Sequence, residues 1–210
     1  MPVNNSRYHR RSIRLPEYDY TQAGAYYVTI CTLDRMCLFG DVVNGEMALN
    51  EYGRIARDEW IRAGELRPNV KTDAFVVMPN HIHGIVVIGD NDYRRGTMHR
   101  APTKTERFGK PVAGSLPTIV RCYTAAVTRH INRLRNTPGA KLWQRNYWEH
   151  VIRNGREMEH IRRYIIENPM RWKDDGENPG RPFMKGSDPS RPNEENPTRT
   201  APAITADDRP

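Results

Sequence analysis

The segment HIHGIVVI, residues 81 to 88, constrains the fold more than any other stretch of the chain. Its apolar side chains fall on both parities, with Ile82, Val86 and Ile88 on one and Ile85 and Val87 on the other. Successive side chains of a strand point to opposite faces, so a strand of this composition needs a cover on each. The segment therefore predicts a central strand. The apolar run AFVVM precedes it across Pro79-Asn80, which reads as a tight turn between neighbouring strands.

The flanking segments supply the rest of the fold. AYYVTICTL, opened by Gly24, is aromatic and β-branched as strands are, and LFGDVVNGEMALN places Asn44-Gly45 between apolar runs, the signature of a type I′ hairpin. Asn50 can cap a helix in which Tyr52, Ile55, Ala56, Trp60 and Ala63 recur at helical spacing ahead of Pro68. Ser115 can cap a second helix, with Pro117 in its first turn and a stripe of Leu116, Ile119, Val120, Tyr123, Val127, Ile131 and Leu134. Arg121, Arg129, Arg133 and Arg135 lie mostly off that stripe. A strand LWQRNYWEHVI and a last helix from about Arg156 to Glu167 follow. The order β, α, β, β, α, β, α predicts an α+β fold, a ferredoxin-like βαββαβ sandwich with one appended C-terminal helix.

At 210 residues the chain suits one domain with tails, and its formal net charge of +8 favours a polyanionic partner. No window approaches the roughly 18 apolar residues of a membrane span, and the basic N-terminus lacks an apolar leader core, so a cytoplasmic protein without membrane contact is expected. Three cysteines without C-x-x-C spacing suggest neither disulfides nor a thiolate zinc site. From residue 173 to 210 there are six Lys+Arg, eight Asp+Glu and seven prolines, too polar to bury a core. The expected organisation is a basic arm over 1–16, a catalytic domain over 17–172 and a disordered tail over 173–210. Without the tail the body holds 27 basic and 17 acidic residues. That charge gathers in the arm, at Arg7, Arg10, Arg11 and Arg14, and in the loop from Asp90 to Gly114. Both are candidate nucleic-acid contacts, and both also fit ordinary solvated surface.

Two places carry candidate chemistry. On a strand, His81 and His83 project side by side, and two imidazoles at that spacing can grip one cation, although ordinary packing explains them as well. On the last helix, Tyr164 and Asn168 lie about 40° apart on one face, beside the apolar stripe of Met158, Ile161 and Ile165. Pro169 stops the helix there, leaving the Asn168 amide free to reach sideways. A tyrosine beside such a stripe is equally at home as a core residue with its hydroxyl at the surface.

The blocks YYVTICTLDRMCLFG, VVMPNHIHGIVVI, SLPTIVRCYTAAVTRHINRL, LWQRNYWEHVIRN and YIIENPMRW, spread over residues 26 to 172, together resemble a known family. It is that of the single-tyrosine HUH transposases (histidine, hydrophobic residue, histidine) of the insertion-sequence 200/605 type, in the REP-associated tyrosine transposase branch. The resemblance implies that His81 and His83 are metal ligands, Tyr164 is the nucleophile, and Asn168 occupies the place of a helix-borne third ligand. It also implies cleavage and rejoining of single-stranded or hairpin DNA, at sequences resembling repetitive extragenic palindromes, through a 5′-phosphotyrosine. Two imidazoles with an amide oxygen suit Mn²⁺ and accept Mg²⁺ when waters complete the shell, and zinc fits too. Trp143, Arg145 and Trp148 have the aromatic and basic composition of a surface on which unpaired bases stack, with core packing the competing account of the tryptophans. A monomer is slightly favoured over a homodimer. Two other functions fit the same residues: a silent hairpin-binding module and a metal-dependent phosphodiesterase that uses water.

Overall fold

The structure, a computed structural model, describes residues 18–89 and 112–180. The arm with Arg7, Arg10, Arg11 and Arg14, nearly all of the basic loop, and residues 181–210 of the expected tail lie outside the described residues.

The four-stranded antiparallel sheet is built from β1 (Gly24–Cys31), β4 (Val70–Val77), β5 (His81–Ile88) and β6 (Trp148–Ile152), in the order β4-β5-β1-β6. With α1 (Glu51–Glu65) after β1 and α2 (Leu116–Leu134) after β5, this is the predicted ferredoxin-like arrangement, with α3 (Gly155–Glu167) appended. A separate hairpin of β2 (Gly40–Val43) and β3 (Glu46–Leu49) turns at Asn44 and Gly45, whose φ values of 53° and 80° are those a type I′ turn demands. Asn50 caps α1 as its sequence position suggests, its side-chain oxygen accepting from the Gly53 amide at 2.9 Å.

β5 is central, between β4 and β1, and its double apolar parity has the predicted consequence. Ile82, Val86 and Ile88 join Tyr26, Val28 and Ile30 beneath α1 and α2, against Trp60, Ile119, Tyr123 and Val127. Gly84 lies on that face because a methyl group there would overlap the Trp60 ring. Ile85 and Val87 face the other way and pack with Tyr27, Ile152 and, from α3, Ile161 and Ile165. The appended helix thus covers the face that a two-layer sandwich leaves open.

Two expectations need correction. The last strand does not begin at Leu142: only Trp148–Ile152 is paired along β1, and Trp143 makes an isolated bridge to Thr32. Leu134, assigned to the buried stripe of α2, is 51% exposed because the helix ends there, while Asn132 is buried.

α3 is tied to the sheet by charge as well as by apolar contact. Arg162 forms a two-pronged salt bridge with Asp73, Nε and an Nη each donating to a carboxylate oxygen at 2.8 Å, and Asp73 sits in the irregular stretch of β4 between Thr72 and Phe75. The guanidinium holds the Asp73 carboxyl below its ordinary range. A depressed carboxyl contributes stability above its unfolded pKa and loses it as pH falls through the lower folded value. Replacing Asp73 by Asn should therefore cost about 0.5 to 1 kcal/mol at pH 7, a modest figure because the pair is partly solvated. In urea melts that difference should shrink as the pH falls below the ordinary carboxylate range; a cost that does not change with pH would show that the pair contributes no charge interaction.

Candidate metal centre and tyrosine site

The histidines of β5 lie under α3 and are fully or almost fully buried. Their Nε2 atoms are 3.0 Å apart. Burial pushes the His81 imidazole down to about 3, with the nearby Arg35 charge acting in the same direction. His83 is likewise held far below its ordinary value, by burial first and by His81 second. Both rings are neutral at physiological pH, the form in which an imidazole nitrogen offers its lone pair.

Hydrogen bonds fix which nitrogen that is. The Asn80 amide nitrogen donates to the backbone oxygens of Arg35 at 3.0 Å and Glu177 at 2.7 Å, so its Oδ1 faces His81 Nδ1 as an acceptor at 2.9 Å. His81 Nδ1 therefore carries the proton, and Nε2 is the lone pair. His83 Nδ1 meets the Tyr27 hydroxyl at 2.7 Å and Thr29 Oγ1 at 2.9 Å. When that nitrogen donates to them, two lone pairs confront one another across 3.0 Å, an arrangement that repels unless a cation lies between. Two nitrogens bound at right angles, each about 2.1 Å from one ion, would stand about 3 Å apart.

Oxygen donors stand beside them. Asn168, at the end of α3, is 1% exposed, and its side-chain oxygen has no hydrogen-bond partner. A buried amide oxygen left bare costs about 1 to 3 kcal/mol, so an orphan of this kind calls for a ligand. Asp175 supplies the other: one of its carboxylate oxygens is 4.0 Å from His81 Nε2, and ligand atoms of His81, His83 and Asp175 all lie within 4.8 Å of one another. Two imidazoles with neighbouring oxygens are a donor set that fits a divalent ion.

Tyr164 reaches the same place from α3, its ring centroid 5.4 Å from that of His83 and 6.3 Å from that of Tyr27. Burial and then the Asp175 charge push its hydroxyl up to about 12, while hydrogen bonds from Asn168 and Tyr27 oppose the rise. One pocket of the fold thus brings together His81, His83, Tyr164 and Asn168. Trp148 packs edge-on against Tyr27 at 5.3 Å, and Trp143 lies on the other side of the sheet, against Phe39 and Tyr123. Arg145 is exposed between them in sequence, outside the strand.

Asp175 and Tyr27 were not singled out in the sequence. Tyr27 had a signal: in AYYVTICTL it alternates with the apolar Tyr26, Val28 and Ile30, so it shares with Thr29 the face of the sheet that the histidines occupy. Asp175 had none, since it lies in the polar stretch assigned to the tail. A 3-10 turn continues from Asn168 to Asp174, beyond the expected domain edge at 172. Residues 175–177 then fold back over His81, held by the Arg35–Glu177 salt bridge at 3.0 Å and by Arg35 donating to the Gly176 oxygen at 3.1 Å. The ordered body therefore reaches at least Gly180.

No family model matches the chain. It is 37% identical over 172 residues to an uncharacterized protein of Haemophilus influenzae, spanning 82% of this chain and 94% of that one. To a second Haemophilus influenzae protein, provisionally named a REP-associated tyrosine transposase, it is 27% identical over 153 residues, 73% of this chain and 74% of that one. Among solved structures its fold is similar to that of a REP-associated tyrosine transposase bound to a REP hairpin, with a TM-score of 0.50 and 21% identity over 75% of this chain and 74% of that one. The class that the chain resembles is that of the REP-associated tyrosine transposases. The chain belongs to one family with the first Haemophilus protein. Among the described residues, no helix is long and apolar enough to cross a membrane.

The fold-back over His81 generates a direct test. A chain ending after Gly180 should keep His81 shielded from the imidazole reagent diethylpyrocarbonate, as read by mass spectrometry. A chain ending after Trp172 should react at His81 roughly ten-fold faster, since local exposure governs such chemistry. Equal rates in the two truncations would mean that residues 173–180 do not cover the histidines.

Proposed function

We propose that this protein is a transposase that cleaves single-stranded DNA and transfers the strand through a covalent bond between Tyr164 and a 5′-phosphate, at sites beside hairpins resembling REP elements. The observation that carries the reading is the convergence of a phenol from α3 on two imidazoles from β5 whose Nε2 atoms are 3.0 Å apart. The reading also draws on the REP-associated tyrosine transposase relatives, one of which is bound to a REP hairpin.

His81 and His83 would hold a divalent ion, Mg²⁺ or Mn²⁺, with Asn168 and Asp175 as the oxygen donors nearest to hand. Such an ion neutralises charge that builds on the phosphate and favours the ionised phenol. The chain's own groups act in the same direction. With His83 Nδ1–H donating to Tyr27, the Tyr27 hydroxyl is left to donate to the Tyr164 oxygen, which would favour Tyr164 as phenolate. The Asn168 amide nitrogen does the same, leaving its oxygen for the ion. A phenol held at about 12 is a weak nucleophile at neutral pH, so these bonds matter.

In the reaction Tyr164 gives its proton to water, its oxygen bonds to phosphorus, and the bond from phosphorus to the 3′-oxygen of the upstream strand breaks. That oxygen leaves as a hydroxyl, taking a proton from water. The phosphodiester energy stays in the phosphotyrosine, and attack by another 3′-hydroxyl joins a new strand without ATP. The catalytic body is residues 17 to 180, and the arm arginines Arg7, Arg10, Arg11 and Arg14, with Arg145, Trp143 and Trp148, contribute DNA contacts. Because Tyr164 meets the histidines of its own chain, a monomer suffices.

Incubating labelled single-stranded DNA carrying a hairpin with Mn²⁺ should yield a protein–DNA adduct that survives denaturing gels. Tyr164→Phe should abolish it, and His81→Ala should lower its rate by about 100-fold or more while sparing hairpin binding. Cleavage without an adduct would replace transfer by hydrolysis. Hairpin binding with neither product would leave a binding module alone.

A further inference from the structure

On the other layer of the molecule a groove of about 690 Å³ runs between α2 and the segment 138–143, with Arg121, Arg129 and Arg133 on its helical wall and Trp143 on the opposite one. All three arginines are exposed, and among the described residues no carboxylate pairs with any of them. They span twelve residues of helix, about 18 Å, which is too long for one small anion and matches about five base pairs of a duplex at 3.4 Å per step.

Several other polar groups of the groove are already engaged. Trp143 Nε1 donates to the Thr124 oxygen at 3.1 Å, Thr128 donates to the same oxygen at 2.7 Å, and the Asn132 amide donates to the Ala140 oxygen at 2.8 Å. Those bonds make the walls rigid, and three exposed guanidiniums against one exposed amide, Asn136, leave the donors of the groove dominated by charge. Guanidiniums suit phosphates and carry no sequence preference of their own.

The groove also lies at the histidine end of the sheet. Cys31 is paired with His81 across β1 and β5, and its backbone oxygen accepts from the Gln144 amide at 3.0 Å. The Leu33 amide donates to the Leu142 oxygen at 2.8 Å, so the end of β1 joins the Trp143 wall to the start of β5. A nucleic acid seated along α2 therefore has the tyrosine pocket round one edge of the sheet.

We propose that this groove holds the sugar–phosphate backbone of the duplex stem of a DNA hairpin, whatever the stem sequence, while the single strand leaving the stem passes to Tyr164. This rests on the strand-transfer reading of the tyrosine pocket for its second half only; stem binding is measured separately.

The test uses the full chain and its Arg129→Ala/Arg133→Ala variant, with fluorescence anisotropy on DNA hairpins of two unrelated stems and on a stemless strand. The wild type should bind both hairpins alike and more tightly than the stemless strand. The variant should lose about ten-fold or more in hairpin affinity, with the salt slope of log K reduced by about 2, since each phosphate contact contributes roughly 0.9. Arg129→Lys/Arg133→Lys should restore most of the slope. Adduct formation on the stemless strand should be the same in all three proteins. Unchanged hairpin affinity and slope in the alanine variant would overturn the proposal, as would preference for an RNA hairpin of the same sequence or equal loss of adduct on the stemless strand. If the wild type forms no adduct while the variant still loses stem binding, the strand-transfer reading falls and the groove assignment stands.

Discussion

Packing of α3 against the second face of the sheet is the constraint from which the rest follows. A ferredoxin-like sandwich needs only one helical layer, and α1 and α2 supply it. β5 nevertheless carries Ile85 and Val87 on the opposite face, and Ile161 and Ile165 of α3 come down on that patch. Burying side chains of this size contributes about 1.5 to 3 kcal/mol each, and on the thirteen-residue helix these two are the buried ones. The same contact brings Tyr164 against His83, with Asn168 hydrogen-bonded to Tyr164, so the hydrophobic effect positions the polar chemistry.

Much of this was legible in particular residues. Apolar side chains at both parities of His81–Ile88 predicted a two-sided strand, and spacing alone put Tyr164 and Asn168 on one face of the last helix. Asn44-Gly45 and Asn50 encode local geometry through their own backbone and side-chain preferences, which need no tertiary context. Asp175 escaped because its position depends on contacts between distant segments. The Asn80 amide takes the Glu177 carbonyl and Arg35 takes its carboxylate, and no periodicity announces either bond. The truncated β6 has a similar cause: Trp143 looked like strand but turns its ring into the α2 core, leaving one bridge to Thr32.

The pocket has the mark of a site in which local rules yield to function. Two imidazole nitrogens stand 3.0 Å apart, an amide oxygen lies buried without a partner, and burial pushes a phenol up to about 12. The bare amide oxygen costs stability by itself, as do the imidazole nitrogens when both present lone pairs. A single divalent ion among them would relieve both costs and favour the ionised phenol. The arginine groove along α2 is the opposite case, in which most polar groups are satisfied within the protein and charge is what remains for the ligand.

Anomalous diffraction from crystals soaked in Mn²⁺ would locate the ion. One strong peak is expected about 2.1 to 2.2 Å from Nε2 of both His81 and His83, within the coordination shell of the Asn168 oxygen or Asp175, with the Tyr164 oxygen turned towards it. A crystal at saturating Mn²⁺ with no density between the two imidazoles, or with the ion bound elsewhere and Tyr164 directed away, would contradict it.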